Sequence, residues 1–317
     1  MEISVIGCGR WGAFLAWYLD GLSHDVTLYG RPNSKHFQAF QENRTNGLTM
    51  LSSRVRLTSD LKESLRSEVV VISVNAQGLR ALTGEISAVT KEPKLFVLCM
   101  KGLETDSGKR LSEIVLETAP LGSRVAVWIG PGHVQEFTAG IPNCMVIDSS
   151  DNNVKTMLVD TFSSELIRFY YGSDMIGNEV GAAAKNVIGI AAGVLDALEL
   201  SSLKGALCSR GTREVARLIQ ATGGDPNSAY GLCHLGDYAA TVFSPLSHNR
   251  RFGEAFVKNE PYGELAEGVD TCKAMKLLSQ KYNVELPICD AVYDTLFTGL
   301  DPQKAVERLF GRSLKAE

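Results

Sequence analysis

Between Glu179 and Val194 a single lysine, Lys185, stands among alanines, glycines, valines and isoleucines. A helix of that composition is buried on most sides. A lysine inside it loses its hydration, which draws its pKa toward neutrality and suits it to proton transfer. The competing placement sends the ammonium to the surface along a stem packed on apolar neighbours, and the pattern alone leaves both open. A second lysine, Lys101, follows the apolar run Leu95–Cys99 in Lys101-Gly-Leu-Glu104, and Gly130-Pro-Gly132-His133 holds the equivalent place after Arg124–Ile129. Ligands of open α/β sheets bind beyond the carboxyl ends of the strands, so Lys101 is expected to face a ligand cleft. Gly130 and Gly132 would let a ligand approach the backbone. Farther along, Gly231-Leu-Cys-His-Leu-Gly-Asp237 precedes Ser244-Pro-Leu-Ser247-His248-Asn249-Arg250-Arg251-Phe-Gly253. Hydroxyl, amide and guanidinium donors crowded between glycines suit an anion such as a phosphate monoester, although a solvated interhelical loop has the same composition.

At the other end of the chain, Gly7-Cys-Gly9-Arg10-Trp11-Gly12 follows a β-branched run and leads into Ala13-Phe-Leu-Ala-Trp-Tyr-Leu19, which has helix composition. Strand, glycine loop and helix in that order form the dinucleotide-binding fingerprint. Gly7 allows the tight turn, Gly9 lets a pyrophosphate approach the backbone, and Gly12 permits close helix–strand packing. The phosphates then meet unpaired N–H groups and the positive end of the helix dipole. The acidic residue that would bind a ribose 2′-hydroxyl after the second strand is missing, and the chain reads Leu28-Tyr-Gly-Arg31-Pro-Asn. Arg31 is suited to a 2′-phosphate, which favours NADP(H) while leaving NAD(H) possible.

These residues need a scaffold, and the chain outlines one. Ile3–Ile6, Val26–Tyr29, Val69–Val74, Leu95–Cys99, Arg124–Ile129, Met145–Asp148 and Leu166–Tyr170 read as strands alternating with helical patterns, which implies a parallel-rich, doubly wound sheet. Beyond about Asn178 only helical periodicity remains, broken at Gly223-Gly-Asp-Pro226, Gly231–Asn249 and Asn259-Glu-Pro261. The expected division is an α/β dinucleotide-binding Rossmann domain over residues 1–173 and an all-α substrate domain over 174–317, closely packed and enclosing a cleft.

The chain has 317 residues, 44% hydrophobic and 21% charged, with a formal net charge of −4. Its acidic balance and lack of a basic stripe speak against nucleic acid as a partner. Cys8, Cys99, Cys144, Cys208, Cys233, Cys272 and Cys289 are scattered without a Cys-x-x-Cys pair, so they read as reduced thiols and no metal site is expected. No basic and apolar leader precedes the first strand. The longest apolar stretch, Val187–Leu195, is shorter than the roughly 20 residues that cross a bilayer. The expected location is cytoplasmic, without stable membrane insertion. A homodimer is one option for an oligomeric state that the residues leave open.

Taken together, Gly7–Gly12, Lys101-Gly-Leu-Glu104, Gly130-Pro131, Gly181-Ala-x-x-Lys185-Asn186, Arg210-Gly211, Gly236-Asp237, Ser247-x-Asn249-Arg250-Arg251-x-x-Gly253 and Glu267-Gly-Val269 resemble, in order and spacing, the bacterial NAD(P)-dependent glycerol-3-phosphate dehydrogenases. The likeness runs along essentially the whole chain. It implies reversible reduction of dihydroxyacetone phosphate to sn-glycerol 3-phosphate, which feeds phospholipid synthesis. By that resemblance Lys185 transfers the proton, and Lys101 and Asp237 hold and orient substrate. It also implies substrate contacts at Gly130, Gly132, Ser247, His248 and Asn249. Cofactor contacts are implied at Arg10, Trp11, Arg31, Lys101, Val134, His248, Leu265 and Glu267, alongside the glycines of the loop. The chemistry agrees: an ammonium at Lys185 protonates the carbonyl oxygen and stabilises its developing charge, while Asp237 holds it in place and keeps it charged.

Three positions depart from the family pattern. His248 stands where relatives carry an Arg that grips the substrate phosphate, and a neutral imidazole is no substitute for a bidentate guanidinium. Either His248 is protonated there, or Arg250 or Arg251 reaches in, or the substrate differs. Gly132 replaces a Ser or Thr, and His234 replaces a Gly. The rival readings are a reductase of the same fold acting on another small keto acid or keto phosphate, and a protein that senses NADP(H) without turnover. In a third, His234 or His133 is the acid–base group, against the expectation that a histidine in a polar loop lies at the surface.

Overall fold

The computed structural model describes residues 1–313. They form two compact units, one made of residues 1–100 and 111–175, the other of 101–110 and 176–313. The segment 101–110, which begins with Lys101, thus belongs by its contacts to the second unit, on the far side of the expected boundary near residue 173.

The first unit contains strands β1 (Glu2–Ile6), β2 (Asp25–Tyr29), β3 (Arg56–Thr58), β4 (Val69–Ile72), β5 (Leu95–Leu98), β6 (Arg124–Ile129), β7 (Asn143–Ser149) and β8 (Ile167–Tyr171). Between them run helices α1 (Arg10–Gly21), α2 (Lys35–Asn43), α3 (Leu61–Ser64), α4 (Leu79–Val89), α5 (Leu111–Thr118), α6 (Val134–Thr138) and α7 (Asn152–Phe162). The strands form one sheet in the order β3-β2-β1-β4-β5-β6-β7-β8. All neighbours are parallel except β6 and β7. Every residue of β4 and β5 is buried, as is β1 after Glu2, so these strands are continuous apolar runs rather than alternating ones. The exception inside β1 is Ser4, whose hydroxyl is satisfied by the Ser64 carbonyl. Strand order reverses at β1, between β2 on one side and β4 on the other, and the glycine loop starts where β1 ends. That is the switch point at which doubly wound sheets bind ligands.

All seven expected strands are present. The eighth, β3, has three residues at the sheet edge, too short and too polar to show a period.

The second unit holds α8 (Met175–Ala197), α9 (Lys204–Ala221), α10 (His248–Val257), α11 (Gly268–Tyr282), α12 (Pro287–Tyr293) and α13 (Pro302–Phe310), with no strand among its described residues. Helix α8 corrects the sequence estimate of apolar length. Its 23 residues are long and apolar enough to cross a bilayer. The helix is nevertheless covered by protein along most of its length, including its polar Glu179, Lys185 and Asn186, as befits the core of a helical unit. Glycines set how closely α8 and α10 approach: a Cβ on Gly193 of α8 would strike the Arg250 carbonyl, and one on Gly253 of α10 the Ile190 carbonyl.

Candidate active site

In the first unit, the turn after β1 is built from three glycines with different duties. Gly7 has φ +109° and lies against the Ser73 carbonyl, and Gly12 lies against the Gly7 carbonyl; a Cβ at either would collide with backbone. Beside Gly9 there is open space. Gly9 caps α1 without any side-chain hydrogen bond, so the helix presents its first-turn N–H groups uncapped by a side chain. Next to it Trp11 packs on Phe14 and Phe137, at ring-centroid distances of 5.0 and 6.2 Å. Its indole Nε1 is buried with no hydrogen-bond partner among the described residues. An open space beside Gly9, a bare helix terminus and an orphaned buried donor fit a dinucleotide whose pyrophosphate supplies the acceptors.

Arg31 lies just past β2. Its charge and a contact from Ser34 (Cys8 Sγ to Ser34 Oγ, 3.4 Å) both act on the Cys8 thiol of the glycine loop, although burial dominates and pushes that thiol up. Ser34 also caps α2, accepting from Phe37 N–H. Arg31 and a second helix N-terminus therefore sit beside the loop.

Gly130 and Gly132 follow β6 with φ +140° and +141°. The Gly132 departure has a local reason, because a Cβ there would enter the Phe137 ring. That ring stacks on Phe14 at 5.1 Å and belongs to the aromatic cluster under the loop. Val134 begins α6 and is buried.

The second unit gathers the ionisable groups. Lys185 is buried in α8, which decides against the surface placement. Its Nζ donates to Thr241 Oγ1 at 2.7 Å and lies 2.9 Å from Asp237 Oδ2. Lys101 Nζ reaches the same carboxylate oxygen at 2.6 Å. Asp237, only 1% exposed, is thus shared by two ammonium groups.

Burial draws the Lys185 pKa down to about 8. The Asp237 charge opposes this, the Lys101 charge assists it, and Glu267 also favours the charged form. The group is poised near neutrality, as proton transfer requires.

The 101–110 segment is tied to α8 in three ways. Asn186 Nδ2 donates to the Lys101 carbonyl at 3.0 Å, Arg110 pairs with buried Glu179 at 2.8 Å, and Leu103 packs among Val180, Ala183, Ala184 and Val187. Thr241 lies in a π-helical turn, Ala239–Phe243, a geometry that recurs at functional sites. Sequence reading had no signal for Thr241, since an isolated threonine in a loop has no pattern.

Ser247, His248 and Asn249 are drawn to the same helix. Gly189 of α8 touches Thr241 and Asn249, and Gly268 touches the Asn186 carbonyl and Asn249 Oδ1. Asn249 Oδ1 accepts from Gly268 N–H at 2.9 Å, which leaves its amide NH₂ as the donor end. Ser247 caps α10, with Oγ accepting from Arg250 N–H at 3.3 Å. Glu267 precedes α11, and Leu265 is 53% exposed in the segment before it.

The two arginines after Asn249 differ. Arg250 is committed within the fold, to Asp196 at 3.0 Å, Glu254 at 3.1 Å and the Ser244 carbonyl at 3.2 Å, so it does not reach in. Arg251 Nη2 lies 3.0 Å from His248 Nδ1, and its guanidinium lies over the Tyr262 ring at 5.9 Å. His248 Nδ1 is also 2.9 Å from Tyr262 Oη and 2.8 Å from Glu264 Oε2.

His234 is not the surface histidine expected of a polar loop. It is fully buried against Gly181 of α8. Nδ1 lies 2.8 Å from the Gly181 carbonyl and Nε2 lies 2.7 Å from Tyr238 Oη. A carbonyl only accepts, so Nδ1 carries the proton and Nε2 accepts from the tyrosine. Burial draws its pKa down to about 4, and this neutral, fully bonded ring has no role as an acid at neutral pH. All seven cysteines are free thiols, and among the described residues no cluster of three or more His, Cys, Asp or Glu is placed to hold a metal.

Comparison with known proteins adds a family. Residues 2–155 match the model of the NAD-dependent glycerol-3-phosphate dehydrogenase N-terminus, and residues 174–307 match that of the C-terminus. The chain is 35% identical over 329 residues to "Glycerol-3-phosphate dehydrogenase [NAD(P)+]" of Thermoanaerobacter sp. (strain X514), covering 100% of this chain and 99% of that one. It is 34% identical to the protein of the same name from Exiguobacterium sp. (strain ATCC BAA-1283 / AT1b), covering 100% and 97%. Among solved structures it is similar to the glycerol-3-phosphate dehydrogenase of Coxiella burnetii, with a TM-score of 0.91 and 28% identity over 98% of this chain and 99% of that chain.

Proposed function

Since the chain belongs to the NAD-dependent glycerol-3-phosphate dehydrogenase family, we propose that Lys185 is the acid–base residue of its reaction, the NAD(P)-dependent interconversion of dihydroxyacetone phosphate and sn-glycerol 3-phosphate. One observation carries this reading. A buried lysine with a pKa near 8 is held by Thr241 and by a carboxylate that it shares with a second lysine.

The nicotinamide, when bound, supplies or accepts the hydride. The residues of the loop at Gly7, Gly9, Arg10, Trp11 and Gly12, with Arg31 and Val134 beside it, hold the nucleotide. Lys101, His248, Leu265 and Glu267 are proposed as further nucleotide-binding residues.

In the reducing direction the Lys185 ammonium gives one proton to the substrate's C2 carbonyl oxygen as the carbonyl carbon gains a hydride, which leaves an alcohol and a neutral amine. In the oxidising direction the amine takes the hydroxyl proton. Asp237 keeps Lys185 charged and aimed, and Lys101 adds positive charge where the oxygen becomes alkoxide-like. Ser247, His248 and Asn249, at the N-terminus of α10, receive the phosphorylated end of the substrate; Gly130 and Gly132 are proposed as further substrate-binding residues.

The nucleotide preference follows from charge. Arg31, Ser34 and the N-terminus of α2 beside the glycine loop favour a ribose carrying a 2′-phosphate, hence NADP(H) over NAD(H).

The test is NADPH oxidation with dihydroxyacetone phosphate, repeated with Lys185→Ala. Turnover in the parent and its loss in the variant are expected. Turnover of a non-phosphorylated keto acid with none of dihydroxyacetone phosphate overturns the substrate. Unchanged turnover in Lys185→Ala overturns the assignment of the acid.

A further inference from the structure

We infer that Arg251, one turn into α10, is the guanidinium that grips the substrate phosphate in this chain, with His248 as the hinge that holds it. The inference rests on the dihydroxyacetone phosphate reading above and names the residue that replaces the missing arginine at position 248.

The phosphate is expected at the N-terminus of α10, a ten-residue helix capped by Ser247, where Asn249 already presents an amide donor. A dianion there needs a cation, because a hydroxyl, an amide and a helix terminus supply dipoles but less than one full positive charge. Two arginines follow Asn249. Arg250 is consumed by Asp196, Glu254 and the Ser244 carbonyl, with 15% of its side chain exposed. Arg251 is different in three respects. Its side chain is 40% exposed. Its Nε is nevertheless buried, with no hydrogen-bond partner among the described residues. An N–H left unsatisfied in a buried place is costly, and an incoming oxyanion is the acceptor it lacks.

His248 explains how the guanidinium is kept in reach. Nη2 of Arg251 lies 3.0 Å from His248 Nδ1, and Glu264 Oε2 lies 2.8 Å from the same nitrogen, so imidazole, guanidinium and carboxylate meet at one point. The Tyr262 ring lies under the same guanidinium. Replacing an arginine at 248 by histidine therefore removes one guanidinium and creates a seat for another. Glu264 faces both groups, with the same Oε2 3.6 Å from an Arg251 nitrogen. Its side chain is 55% exposed and its contact with Arg251 is long, so it holds the arginine weakly and yields to a dianion.

The experiment measures KM and kcat for dihydroxyacetone phosphate, together with the inhibition constant of inorganic phosphate as a substrate competitor. The proteins are the parent, Arg251→Ala, Arg251→Lys and the double variant His248→Arg/Arg251→Ala. Loss of a charge-assisted, bidentate contact raises KM and the phosphate inhibition constant together, by roughly 10- to 100-fold in Arg251→Ala, with a much smaller change in kcat. Arg251→Lys restores part of the loss because it returns charge without the fork. The double variant restores most of it because the guanidinium returns at position 248.

A KM and phosphate inhibition constant in Arg251→Ala within about twofold of the parent overturn the inference. So does a double variant no better than Arg251→Ala. If Arg251→Ala is poorly folded by circular dichroism, the parent, Arg251→Lys and His248→Arg/Arg251→Lys decide by the same two constants. A parent that does not turn over dihydroxyacetone phosphate defeats the underlying reading instead, and the two failures are told apart in the first assay.

Discussion

Replacing Asp237 by Asn tests whether the lysine–carboxylate cluster sets the proton chemistry. Lys185 Nζ lies 2.9 Å from Asp237 Oδ2, and the pKa of this lysine is about 8 because the carboxylate opposes a larger effect of burial. At that separation two unit charges interact by about 6 kcal/mol for an effective dielectric constant of ~20, equivalent to about four pKa units. Water entry and the amide dipole of Asn recover part of this, so the expected fall is at least about two units, to about 6 or below. Lys101, which shares the carboxylate at 2.6 Å, loses its counter-charge too and repels Lys185 more strongly.

The reducing direction needs the ammonium, so kcat/KM for dihydroxyacetone phosphate reduction falls as pH rises through the pKa. The oxidising direction needs the amine, so it climbs over the same range. In the parent both limbs bend near pH 8. In Asp237→Asn the bend moves down by two units or more, and at pH 7 the ammonium fraction drops about tenfold from protonation alone. Acidifying the variant to about pH 5 recovers that factor, which a purely structural lesion would not do. The assay is the initial rate of NADPH absorbance loss across pH. A bend that stays near 8 in the variant, or a uniform loss at every pH, refutes the cluster as the determinant of Lys185 acidity.

Three further outcomes follow from the same geometry. Arg31→Ala lowers the ratio of NADPH to NADH kcat/KM by roughly 10- to 100-fold, the value of one charge-assisted contact to a 2′-phosphate, and an unchanged ratio in paired assays assigns the preference elsewhere. Gly12→Ala drives a Cβ into the Gly7 carbonyl, so NADPH fluorescence titration should show loss of binding; retained affinity would mean that the loop adjusts. Burial raises the pKa of Glu214, whose carboxylate accepts from Ile288 N–H and Cys289 N–H at the start of α12, from 4.5 to about 7. A raised folded-state pKa gives stability that is complete below the unfolded value and is lost as pH rises through about 7, a swing of about 3 kcal/mol. Urea unfolding at a series of pH values should show that slope in the parent and lose it in Glu214→Gln.

The parts of the molecule that were legible in the sequence are those where one physical rule acts locally. The glycine loop is such a part, because each glycine answers to a nearby steric contact. Burial of Lys185 was legible as a tendency, since the composition of α8 allows little else. What decided its chemistry was not local. Thr241 and Asp237 lie more than fifty residues away in a segment of short helical turns, and Lys101 arrives on a ten-residue excursion from the other unit's chain. No period or spacing encodes those meetings: the end of a strand pointed Lys101 toward a ligand, and Asp237 was suggested only by the resemblance to a family. Substitutions at departing positions were harder still, because their meaning depends on what moved in response. Gly132 needs its glycine because Phe137 fills the space beside it. His234 is a buried, doubly bonded ring at a place where the sequence suggests a polar loop.

His248 joins these two lines. As a sequence change it is a loss, imidazole for guanidinium, and it casts doubt on the substrate. In its surroundings the ring lies against Arg251, whose Nε has no partner among the described residues and which sits in the same first turns of α10, while Arg250 is locked by Asp196 and Glu254. A binding function tied to a charge survives loss of one residue when a neighbouring side chain is long enough to return the charge and a third group holds it there. On that basis the departure at His248 is compatible with a phosphorylated substrate, and it narrows the question to whether one guanidinium has replaced another.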